Sequence, residues 1–185
     1  MKTRLFILAG LLATGIFSCK KDPLPPQNPP VVNEGELITT VKLSFTDTTG
    51  VQPDVTAIFR DTDGEGGAAP TSFDTIKLAA ATVYRCTVLL LNEATTPVDT
   101  LSNEVLAEAN EHLFCYGVSG GADVSIAITD TDGILPLGLV SRWNTGTATQ
   151  GSVTVTLKHQ PDGLKDGSCS PGDTDVELDF RIEIQ

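Results

Sequence analysis

The sequence predicts an all-β protein, an Ig-like antiparallel β-sandwich of eight or nine strands with one short crossover helix. Three observations carry this. Val176, Leu178, Phe180, Ile182 and Ile184 alternate with Asp175, Glu177, Asp179, Arg181 and Glu183, giving a strand with one dry face and one wet face. Antiparallel sheet is the arrangement that commonly tolerates such a strand. The same period of two runs through Val153, Val155 and Leu157 and through Leu37, Thr39, Val41, Leu43 and Phe45. Gly, Asp and Pro clusters separate these runs at the spacing of sandwich turns.

Before the first strand the chain has a different character. Lys2 and Arg4 form a positive start, Leu5 to Phe17 an apolar run, and Ser18-Cys19 a small residue followed by cysteine. This reads as a lipoprotein signal peptide over residues 1–18, with the Cys19 thiol as the lipid attachment point. The run is shorter than the ~20 residues that span a bilayer core and is flanked as a secretory signal. Two or more acyl chains give stable anchoring, so the expected location is the outer membrane, facing the periplasm or the cell surface. Residues 19–30 complete the anchor with a Pro-rich tether. Five prolines in Lys20 to Pro30 favour an extended spacer of ~3 Å per residue.

Residues 31–185 suffice for one sandwich domain and are too few for two. Further strands are expected at Val55 to Arg60, Phe73 to Leu78, Thr82 to Asn92, His112 to Ser119, Val124 to Thr129 and Leu139 to Asn144. Asp99 to His112 breaks the alternation. It has a stripe of Leu101, Val105 and Ala109 with cap candidates in Thr100 and Ser102, and reads as the crossover helix. Loss of the signal peptide removes Lys2 and Arg4, leaving ten basic residues against 24 acidic ones and a formal charge of −14 in place of −12. Such a surface repels nucleic acid and favours cations or basic partners.

Beyond Cys19, three cysteines remain, so at most one intramolecular disulfide can form among Cys86, Cys115 and Cys169. Cys86 and Cys115 lie in apolar runs and read as small buried hydrophobes. The motif with the most chemistry is Asp61-Thr62-Asp63-Gly64-Glu65-Gly66. Oxygen donors at positions one, three and five with glycine at six match the first half of a calcium loop. Ala69 and Ser72 stand where later ligands belong, leaving Asp74 as the nearby substitute. Calcium is thus a possible cofactor but not a required one, and a plain Asp-Gly turn outweighs it. Asp130-Thr131-Asp132-Gly133 echoes the motif and is more strongly a turn.

The two histidines, His112 and His159, together with Glu108 or Glu111, form a candidate transition-metal set. Nothing in their spacing forces them together, and satisfied or surface histidines are the favoured reading. No GxSxG, HExxH or phosphate-cradling loop is present, and Cys115 sits in an apolar run without the electropositive setting of a reactive thiolate. The expectation is a protein that is not an enzyme.

The combination NEGELITTVKLSF, FRDTDGEGG, LLLNE, EANEH, TLKHQPDG and PGDTDVELDFRIEI resembles a family of Bacteroidota-type lipoproteins that carries the name "type 1 periplasmic-binding domain-containing". The likeness covers nearly the whole mature domain. A type 1 periplasmic-binding fold is a pair of doubly wound α/β lobes about twice this length, so that name conflicts with the period-two pattern and the fold expectation stays all-β. The resemblance implies a place beside TonB-dependent outer-membrane receptors. The expected function is a non-enzymatic, membrane-anchored lipoprotein that binds a ligand or assists an outer-membrane transporter. The alternative is an extracellular structural or adhesive Ig-like module.

Overall fold

Alternation of apolar and polar residues produces what it implies, two sheets facing each other across a shared dry layer. The computed structural model describes residues 37–64 and 67–185. The expected signal peptide, lipidation point Cys19 and expected tether lie outside the described residues, as does Glu65. The described strands are β1 (Thr40–Asp47), β2 (Val55–Arg60), β3 (Ser72–Phe73), β4 (Ile76–Leu78), β5 (Val83–Leu91), β6 (His112–Ser119), β7 (Val124–Ile128), β8 (Val140–Thr145), β9 (Thr149–His159) and β10 (Asp173–Ile184), with helix α1 (Leu101–Ala107) between β5 and β6. One sheet runs β3-β2-β1-β5-β8-β7 and the other β4-β10-β9-β6.

The fold is the all-β sandwich that the alternation predicts. Ten strands are described because the stretch Phe73 to Leu78 divides. Phe73 pairs with Phe59 of β2 in the larger sheet, whereas Ile76 to Leu78 pair with Ile182 to Ile184 of β10 in the smaller one. The chain therefore changes sheets at Asp74-Thr75, and β4 enters parallel to β10, the one parallel pairing described.

The core follows parity. Val41, Leu43 and Phe45 of β1 and Tyr84, Cys86, Val88 and Leu90 of β5 meet Val153, Val155 and Leu157 of β9 and Phe180, Ile182 and Ile184 of β10. Trp143 of β8 lies within this layer, with Phe45 edge-on at 5.0 Å and Tyr116 at 5.9 Å between ring centroids. Helix α1 crosses between the sheets as its position requires and buries Leu101 and Val105. Thr100 occupies the N-cap position without a side-chain cap. Ser102 instead accepts the Leu90 N–H at 2.6 Å, which ties the helix to β5. Among the described residues no helix is long and apolar enough to cross a membrane.

The cysteine expectation needs one correction. Cys115 is bonded to Cys169, and among the described residues Cys86 is the free, buried thiol. The register Phe114↔Leu157 places Phe114 on the core side of β6, so Cys115 points to the outer face. There it fixes the segment after β9. Burial pushes the Cys86 thiol up to about 12, which keeps it protonated and inert.

Two buried or partly buried aspartates hold turns together. Asp47 accepts the N–H groups of Gln52, Thr49 and Val51 and the Thr49 hydroxyl, and the bonds from Gln52 and Thr49 hold its carboxyl at about 2. Asp132, in the second Asp-Gly motif, accepts the Leu135 and Ile134 N–H groups and pairs with Lys165 at 2.9 Å. The Leu135 N–H and the Lys165 ammonium hold it at about 2. Both folded values lie below the ordinary 3.8, so the stabilisation is complete above that value and is lost as pH falls toward about 2. These two anchors should therefore make the melting temperature drop between pH ~4 and ~2 and contribute no change above pH ~4, with the drop reduced in Asp47→Asn. A melting temperature unchanged across that window would count against these two anchors.

Candidate functional site

At one end of the sandwich the inward parity continues past the apolar core and delivers polar side chains into the mouth between the sheets. On β2, Ala57 and Phe59 face inward, and Asp61 follows them in the same parity. Its N–H extends the ladder to Thr39 O at 2.8 Å. A carboxylate is thereby carried inside, 9% exposed, and its Oδ1 finds no hydrogen-bond partner among the described residues. The opposite wall is the start of β10. A register irregularity between Thr174 and Val176 makes Asp175 the extra residue of a bulge. Strict alternation would send Asp175 to solvent, and the bulge re-aims it into the mouth, where burial raises its carboxyl pKa against the opposing pull of His159 and His112.

Between these walls is a pocket of about 550 Å³. Leu37, Ile38, Phe59, Val176 and Leu178 supply its apolar surface, and Asp61, Asp175 and Glu177 are the ionisable residues that line it. Its size falls within the range of small-molecule sites. The turn leading into β10 depends on Gly172, whose φ is +78° and where a Cβ would lie 2.0 Å from His159 O. Only glycine fits both demands.

The structure separates the expected calcium ligands into two groups. Asp61 and Asp63 adjoin, since the Ala68 N–H and then a hydrogen bond with the Asp61 carboxyl hold Asp63 below the usual carboxylate range. Asp74 is engaged elsewhere, accepting the Ile58 N–H and the Ser72 hydroxyl, each at 3.0 Å, and so clips β2 to the chain crossing sheets. Asp63 closes its own turn by accepting the Ala68 N–H at 2.8 Å. The second motif is a turn throughout: Asp130 accepts the Gly138 and Val140 N–H groups, and Asp132 serves as described.

The histidines do come together. His112↔His159 is a cross-strand pair, and the rings stack with centroids 4.9 Å apart and planes 14° from parallel. Glu111 Oε2 lies 3.8 Å from His159 Nε2. Glu108 takes part through its backbone carbonyl, 3.1 Å from His112 Nδ1. Ring-nitrogen lone pairs lie in the ring plane, so two nearly parallel rings do not aim at one point. The pair must unstack to share an ion. No group of three or more His, Cys, Asp or Glu side chains suited to a metal is found among the described residues.

Asp175 is the site residue that sequence reasoning misses, because bulges leave no trace in an alternating pattern. The nearest signal is Pro171-Gly172 just ahead of the strand. No family model matches this chain, and neither a curated protein nor a solved structure does.

Proposed function

We propose that this protein is a non-enzymatic, lipid-anchored β-sandwich of the outer membrane that captures a small ligand in the mouth between its sheets, as an accessory to a TonB-dependent transporter. The observation that carries the ligand-binding reading is the 550 Å³ pocket with Asp61 and Asp175 in opposite walls. A purely structural or adhesive module has no need of a buried carboxylate oxygen left without a partner, because such a group costs stability. The anchor reading is carried by the leader and Cys19.

Two results test the halves separately. Cys19→Ala should leave an unlipidated precursor that no longer partitions with membranes, and normal partitioning of that variant would refute the anchor. Protein purified from its own envelopes should carry a small molecule in native mass spectrometry, and Val176→Trp, which fills the pocket, should not. Absence of any adduct on the wild type would refute capture while leaving the anchor standing.

A further inference from the structure

Resting on the reading of the mouth as a ligand pocket, we infer that its ligand carries an ammonium or guanidinium group held by Asp61, on an apolar body that lies against Phe59, Val176 and Leu178. Asp61 shares a hydrogen bond with the Asp63 carboxyl, which makes the two an acidic pair at the mouth, yet one of its oxygens is left over. Asp61 is nine-tenths buried, and its Oδ1 has no partner among the described residues. A buried carboxylate in that condition is strongly unfavourable unless a cation or donor arrives.

Among the described residues no cation supplies one at this wall, and no Lys or Arg lines the pocket. Arg60, the adjacent residue, has the opposite parity and is bonded to Glu93 on the outer face, where Glu93 also accepts the Thr40 hydroxyl at 2.9 Å. Asp175, across the pocket, has His159 and His112 beside it, with burial still raising its carboxyl pKa, which leaves Asp61 as the anchor and Asp175 as a second acidic wall.

Size and lining select an organic cation over a bare ion. Calcium takes six to eight oxygen ligands, whereas Asp74 is committed to Ile58 and Ser72 and no three-residue ligand group is present among the described residues. A pocket of about 550 Å³ with an aliphatic and aromatic wall accommodates a molecule of many heavy atoms. Phe59 adds an aromatic ring to the lining, a favourable neighbour for an alkylammonium or guanidinium.

The test uses the full-length chain in detergent and three probes of one shape: 2-phenylethylammonium, 2-phenylethanol and 3-phenylpropionate. Calcium chloride is a fourth arm. Calorimetry should give heat for the ammonium probe, with the neutral and anionic probes at least about tenfold weaker. Asp61→Asn should weaken the ammonium by about tenfold to a hundredfold, the scale of a lost charge-assisted hydrogen bond. The same variant should melt at least as high as wild type without ligand, because an amide can donate to Asp63 where two carboxyls now meet. That readout shows the variant is folded and ties the loss to the carboxylate.

Equal binding of the neutral or anionic probe overturns the cation inference while preserving the pocket. Calcium binding with a silent ammonium overturns it in favour of an ion site. Silence of the ammonium at about 10 mM, ten times a ~1 mM dissociation constant, overturns it too, as does undiminished binding by Asp61→Asn.

Discussion

Cys115→Ser is expected to cost about 2–5 kcal/mol of unfolding free energy, the usual effect of removing a native disulfide from a small domain. The bridged residues are 54 apart in sequence, and the chain-entropy view assigns about 4 kcal/mol to a loop of that size. Cys169→Ser and the double variant should show the same loss, since all three delete one cross-link. Denaturant titration without reductant measures it. The other cysteine among the described residues, Cys86, is buried and protonated, so it offers no alternative partner. Midpoints that match wild type in both single variants would show that the bridge does not restrain the segment after β9.

Trp143→Ala is expected to cost about 3–5 kcal/mol, as large aromatic truncations in close-packed cores do. Trp143 is fully buried, holds Phe45 and Tyr116 edge-on, and donates its indole N–H to Ser141 Oγ at 2.8 Å. Truncation opens a cavity between the sheets and leaves the Ser141 oxygen without that donor. Trp143→Phe should lose less, since it retains most of the apolar volume. Chemical denaturation followed by circular dichroism compares the two, and equal stability of Trp143→Ala and wild type would overturn the placement of Trp143 at the centre of the core.

Long alternating strands were legible because one residue in two had a single possible destination. Val153, Val155, Leu157 and the β10 series all face the core as their parity requires. The division of Phe73 to Leu78 was not legible, since both halves are apolar and each finds a partner, one in each sheet. Cys115 was misjudged for a related reason. Its outer-face neighbour Leu113 is also buried, though it lies apart from the main core cluster, so β6 begins with apolar residues on both faces and its parity is obscured. The histidine stack depends on β6 lying beside β9, a pairing between segments far apart in sequence that no local spacing encodes. For the pocket, Asp61 was singled out as a loop ligand. Its deeper role follows from being the next inward position after Phe59, which only the register of β1 and β2 discloses.

The place of β10 in its sheet has a kinetic meaning. It lies between β4 and β9; β9 directly precedes it in the chain, but β4 comes far earlier. Until β10 docks, β4 has no neighbour in its sheet and the inner faces of β9 and β6 lack their cover from Phe180, Ile182 and Ile184. Closing that sheet means joining segments separated by about a hundred residues, the kind of non-local pairing that slows folding because loop-closure entropy precedes any reward. The smaller sheet therefore stays incomplete until the last strand of the chain arrives, and β4 gains its place only then.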